Sequence, residues 1–164
     1  MDFYDNLFNS GKLNKSKNIL ILTKTEKDYY FNNNFNIVNK NIEEINTINN
    51  SFDVIIFVNI YTSFSNCKCN EILNKVKQFL TNNGFFVYIN ELVTNFSFHP
   101  IFSMKNFLFD NLSSNFGRSI HIDCFHEYIR ENELKVIDVD RIYSYSSLTF
   151  NKEYFSFICI KKEI

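Results

Sequence analysis

Short apolar runs bounded by polar residues recur along the chain and set its expected elements. Lys17 to Leu22 reads as a strand buried on both faces, the kind that parallel sheets use. Phe35 to Val38 is a weaker strand, and Asn39 to Asn50, with Ile42, Ile45 and Ile48 at threefold spacing, predicts a marginal helix or turn-rich connection. Phe52 to Val58 is a second buried strand. From Asn70 to Leu80 the residues Ile72, Leu73, Val76, Phe79 and Leu80 fall on one helical face, and Asn82-Asn83-Gly84 reads as its C-terminal cap. Phe85 to Ile89 follows as a strand, so the strand-helix-strand unit places two strands in parallel.

Beyond Glu91 an aromatic stretch runs from Phe96 to Phe116, with Pro100 able to start a helix over about Ile101 to Leu112. A further helix is expected from Ile122 to Asn132, with Ile122, Phe125 and Ile129 inward and Asp123 or Ser119 as cap. Lys135 to Ile142 and Tyr154 to Ile160 are strands with no helix between them, which suits an antiparallel hairpin. Residues 1–17 form a polar leader, and 18–164 one α/β domain.

The turn after the first strand carries the sharpest signal. A nucleotide-binding α/β domain turns there through glycines, which let backbone N–H groups approach a cofactor. This chain has only three glycines, and Thr23-Lys24-Thr25-Glu26-Lys27 contains none of them. An ordinary dinucleotide or adenosyl site is therefore not expected.

Several segments nevertheless resemble the class I, Rossmann-like S-adenosylmethionine-dependent methyltransferases, in particular the C-terminal domain of small-molecule O-methyltransferases. Phe52 to Phe57, the helix ending at Phe79-Leu80, and Asn83 to Val87 look like that family's fourth strand, its helix and the entry to its fifth strand. Gly117-Arg118, Phe125, Tyr128-Ile129 and Leu134 match its "GRxRTxxEyxxLLxxAGF" segment, and Asp138-Val139 with Phe157 to Lys161 complete the match. The resemblance covers about residues 18–162. It implies a three-layer α/β fold with a C-terminal antiparallel hairpin, shortened near the N-terminus by one βα unit. Phe35 to Val38 matches either the second or the third family strand. The family's N-terminal dimerising domain has no counterpart here.

The departures from that pattern cluster where the chemistry sits. The family's glycine loop falls on Thr23 to Asp28, and its ribose-binding acid falls near Asn39. Its His-Asp pair, in which histidine takes the proton of the acceptor hydroxyl, falls on Thr62 and Ser63, which cannot act as bases near neutral pH. The acid at the end of its fifth strand falls on Asn90, with Glu91 adjacent but on the opposite sheet face. Glu91 and His121 are the catalytic candidates that remain. Thr23, Thr25, Asn39 and Asn59 are the candidates for cofactor contact.

Composition narrows the classes further. With Lys+Arg 17 against Asp+Glu 18 the formal charge is -1, so the electrostatic footprint of a nucleic-acid or anionic-membrane partner is not visible. Cys67, Cys69, Cys124 and Cys159 are unevenly spaced and no signal peptide precedes them, which points to a reduced, cytoplasmic setting. The chain lacks an apolar run of the ~18 residues that a spanning helix needs. His121 and His126 with Asp123 read as a cap and surface group rather than metal ligands, because their spacing takes them off a common helical face. Cys67-Lys68-Cys69 lacks the second pair of a zinc site. No metal is expected.

Phenylalanine accounts for 20 of 164 residues, more between Phe96 and Phe116 than one helix face buries. That surplus points first to a protein interface and second to a ligand cleft lined by Tyr61, Phe64, Phe98, Phe102, Met104 and Phe107. Two functions follow. One is a non-catalytic binding or scaffolding subunit without cofactor, paired with itself or with an active methyltransferase. The other is a divergent S-adenosylmethionine-dependent O-methyltransferase acting on a small aromatic acceptor, with Glu91 or His121 as base.

Overall fold

In the computed structural model, residues 18–24, 35–94, 120–146 and 151–161 are described. The expected leader, the Ile101 to Leu112 helix, Thr25, Ser119 and the phenylalanines from Phe96 to Phe116 lie outside them. Six strands form one open sheet: β1 (Asn18–Thr23), β2 (Asn36–Asn41), β3 (Phe52–Val58), β4 (Leu80–Val93), β5 (Leu134–Ser146) and β6 (Asn151–Lys161). Their order across the sheet is β2-β1-β3-β4-β6-β5. The first four pair in parallel, whereas β6 pairs antiparallel with both β4 and β5. The chain thus ends in the expected hairpin. Among the described residues a single strand, β2, lies between β1 and β3 in sequence, and it sits directly against β1.

Why these segments form strands is plain from burial. Ile19, Leu20, Ile21 and Leu22 are fully enclosed, as are Val54, Ile55 and Ile56, so both sheet faces are covered at the centre. Alternation divides them between two clusters. Leu20, Leu22, Ile55 and Phe57 share one with every described helix, and Ile19, Ile21, Val54 and Ile56 share the other with Val87, Ile89 and Ile158.

Three α-helices are described: α1 (Ile60–Ser63), α2 (Asn66–Val76) and α3 (Ile122–Glu131). The second begins earlier than its apolar periodicity predicts, because Ser65 caps it by accepting from the Lys68 amide at 3.4 Å. Burial of Cys69 one turn in supports that start, and Ile72, Leu73 and Val76 bury the face that was expected to do so. Each such aliphatic side chain contributes roughly 1.5–3 kcal/mol on burial. The helix also ends earlier, at Val76, and Lys77–Phe79 forms a 3-10 turn before Leu80 opens β4.

Asn82-Asn83-Gly84 is therefore not a helix cap. Here Leu80 lies opposite Phe52 while Phe85 lies opposite Val54, so the intervening residues bulge from the ladder. Gly84 is small for a packing reason. A Cβ there would fall 2.7 Å from Leu80 Cγ and 2.9 Å from the Asp53 carbonyl oxygen.

Two other boundaries shift. β2 continues to Asn41, and the threefold isoleucine pattern becomes a 3-10 helix, Ile42–Thr47, burying Ile42 and Ile45. The cap of α3 is His121 rather than Asp123, and its Nδ1 lies 3.3 Å from the Asp123 amide nitrogen.

Candidate functional site

Open α/β sheets place ligands at the carboxyl ends of their strands, where the strand order reverses. That point lies here between β1 and β3. β1 delivers buried Thr23 and then Lys24 to it. β3 delivers Asn59, which leaves the strand in a left-handed conformation at φ 53°, ψ 22°. The Asn59 N–H donates to the Ile89 carbonyl at 2.8 Å, and its side-chain oxygen accepts from the Glu91 N–H at 3.2 Å. One residue thus ties the end of β3 to the longer β4. Farther along, the Val93 N–H donates to the Ile120 carbonyl at 2.8 Å.

A second asparagine closes the other side. Asn41, at the end of β2, donates from Nδ2 to the Lys24 carbonyl at 3.2 Å and accepts from the Glu43 N–H at 3.2 Å. Its own N–H donates to Glu44 Oε2 at 3.1 Å, completing a capping box and holding the Glu44 carboxyl below its ordinary value. Asn39 sits two residues before the strand end, opposite Ile21. Asn41 is the residue at the strand end proper, and its signal in the sequence is Asn41-x-x-Glu44 before an isoleucine repeat.

Lys24 extends its ammonium over the Phe64 ring, 5.6 Å from the centroid, so a cation from β1 and a ring that follows α1 meet across the reversal point. Tyr61 turns the other way, into the core. It lies 4.9 Å from Phe125 and 4.4 Å from Tyr128 by ring centroid, and its hydroxyl donates to the Cys124 carbonyl at 3.3 Å. Phe98, Phe102, Met104 and Phe107 lie outside the described residues.

At the family's catalytic positions, Thr62 is buried and donates from Oγ1 to the Asn59 carbonyl at 3.3 Å, while Ser63 ends α1. Asn90 is fully enclosed, and among the described residues neither end of its amide has a hydrogen-bond partner. Glu91, on the opposite face, accepts from the Tyr154 hydroxyl at 3.4 Å. His121 bridges Val93 in parallel, so Glu91 and His121 both come to the carboxyl end of β4. The His121 Nδ1 that caps α3 is also 3.1 Å from Asp123 Oδ2, so one nitrogen faces a donor and an acceptor at once.

Among the described residues no cluster of three histidine, cysteine or acidic side chains could hold a metal ion. His126 instead packs edge-on against Phe157 at 5.3 Å. Cys69 Sγ lies against the carbonyls of Ile60, Tyr61 and Phe64 and joins α1 to α2. Among those residues no helix is long and apolar enough to cross a membrane.

No protein-family model matches the chain, and no curated protein matches it in sequence. Solved structures do match it in fold. An S-adenosylmethionine-dependent methyltransferase from Clostridium acetobutylicum superposes with a TM-score of 0.60 at 11% identity, covering 99% of this chain and 93% of that one. Methyltransferase CalO6 gives 0.55 at 8% identity, covering 92% and 60%. Mitomycin 7-O-methyltransferase MmcR gives 0.52 at 9%, covering 88% and 50%, so this chain spans about half of that protein's length. The fold is that of the class I methyltransferases, as the resemblance implied.

Proposed function

We propose that this domain keeps the methyltransferase fold but acts by binding rather than by methyl transfer, as a subunit that pairs with another protein. The observation that carries this reading is the use made of Asn41 and Asn59. Both stand at strand ends where the fold's cofactor and acceptor chemistry would lie, and both amides are engaged with the protein's own backbone. The positions of the family's bases carry Thr62, Ser63 and Asn90, which exchange no proton near neutrality. An S-adenosylmethionine ribose does not suit this arrangement, since the strand-end group that would meet it is an amide already bonded at both ends. Support for a partner comes from the edge strand β5, where Ile137 and Val139 are 47% and 40% exposed.

A second reading, a divergent S-adenosylmethionine-dependent O-methyltransferase for a small aromatic acceptor, draws on Glu91 and on His121, which bridges Val93, both standing near the carboxyl end of β4. Calorimetric titration with S-adenosylhomocysteine decides between them. The binding-domain reading expects no heat of association at affinities down to about 1 mM, roughly 4 kcal/mol. Saturable binding would overturn it and favour the enzyme.

A further inference from the structure

At the edge of the sheet β5 pairs with β6 on one side and, among the described residues, with no strand on the other. It is 13 residues long, and the two exposed large apolar side chains of the described residues, Ile137 and Val139, both stand on it. Such an edge offers a row of main-chain donors and acceptors to another strand, and natural edges discourage the pairing with charge. Here the charges are Lys135, Asp138, Asp140 and Arg141, two of each sign. Asp138 is kept on its own strand by accepting from the Val139 N–H at 3.0 Å, and Arg141 by Glu153 at 3.6 Å.

A bulge decides which side chains share a face. Val136 lies opposite Cys159 and Asp138 opposite Ile158, so Ile137 is an extra residue. The insertion puts Val136 and Val139, three positions apart, on the helix-bearing face, opposite Cys159 and Phe157. It puts Lys135 and Asp140 on the other face, opposite Ile160 and Ser156, which flank Ile158. A twofold axis through the sheet between Ile137 and Asp138 then sets Val136 against Val139 and Lys135 against Asp140 of a second copy, twice each, with no like charges directly opposed. Without the bulge that axis would send the members of each pair to opposite faces.

We propose that β5 is the seam of a homodimer, pairing antiparallel with β5 of a second copy of this chain in that register. This names the partner in the binding-domain reading and rests on it. The test is sedimentation equilibrium of the full chain from about 10 μM to 1 mM, a high range because small interfaces associate weakly. The mass is expected to move from one chain towards two as concentration rises. Lys135→Glu and Asp140→Lys each set like charges across the axis and should weaken association by about tenfold or more. Mixed in equal amounts, the two variants restore both charge pairs and should associate as the parent does, which misfolded variants could not do. A monomer across the whole range, association unchanged in either single variant, or a mixture no tighter than its components would overturn the proposal. A monomeric parent that also fails to bind S-adenosylhomocysteine overturns the homodimer alone and leaves the binding-domain reading in place.

Discussion

The side-chain oxygen of Asn59 accepts a hydrogen bond from the backbone N–H of Glu91 at 3.2 Å, supplying to β4 a rung that β3 no longer provides. Asparagine suits the place twice over, since it tolerates the left-handed backbone at φ 53° and its short amide reaches the neighbouring strand. The two contributions separate by mutation. Asn59→Gly keeps the conformation and loses the rung, for an expected loss of about 1 kcal/mol. Asn59→Ala loses both, about 2 kcal/mol. Urea denaturation of the two variants checks the difference; equal losses would mean that the left-handed backbone costs nothing here.

Gly84 answers a different constraint. Its missing Cβ leaves room for Leu80 at 2.7 Å and for the Asp53 carbonyl at 2.9 Å, and one of those neighbours is backbone. Gly84→Ala should destabilise by about 1–3 kcal/mol, as overpacking does. Shortening the movable neighbour in the double variant Gly84→Ala, Leu80→Ala should show favourable coupling but incomplete recovery, since the Asp53 oxygen stays in place. Chemical denaturation of the double-mutant cycle measures that coupling.

These two residues also mark the limit of what the sequence declared. The strands were legible because Asn18–Thr23 and Phe52–Val58 are apolar runs buried on both faces, a condition that local composition reports directly. The fold class followed from their order. The end of α2 was not legible, because Asn82-Asn83-Gly84 mimics a cap while Gly84 is required by a packing contact with Asp53. At the candidate site, that Asn90, Thr62 and Ser63 stand where the resemblance sets the family's acids and base could be read from the chain. What Asn41, Asn59 and Lys24 do there could not, since their partners lie on other elements: the Lys24 carbonyl, the Glu91 amide and the Phe64 ring.

Asn90 makes a prediction of opposite sign. Its amide is fully buried, without a hydrogen-bond partner among the described residues, so the folded state carries a desolvation cost of about 1–3 kcal/mol. Asn90→Leu, apolar and with the same branched heavy-atom skeleton though larger, should raise stability by about 1 kcal/mol once some overpacking is offset, seen as a higher Tm. Asn90→Asp, which restores the family's acid, should destabilise strongly at neutral pH and less at acid pH, where the carboxyl is protonated. A Leu variant less stable than the parent would mean that the amide is hydrogen-bonded in solution.

Alkaline stability follows from the core around β4 and β6. Burial pushes the Cys159 thiol from its ordinary 9.0 up to about 12. Burial likewise raises Tyr88 and Tyr128 above their ordinary 10.0. All three are neutral when protonated, and the unfolded chain releases these protons at lower pH than the folded one. The Cys159 contribution is therefore complete below about pH 9 and is lost as pH rises towards 12, while the tyrosine contribution is complete below about pH 10 and is lost only above it. Cys159 alone sets a slope approaching about 1.4 kcal/mol per pH unit within that window. Cys159→Val removes the thiol while keeping apolar bulk, so between pH 9 and 10, before the tyrosines enter, its stability should fall less steeply than the parent's. Urea denaturation at half-unit steps from pH 8 to 10.5 reads both slopes. Identical slopes would mean that the Cys159 thiol ionises as readily in the folded chain as in the unfolded one.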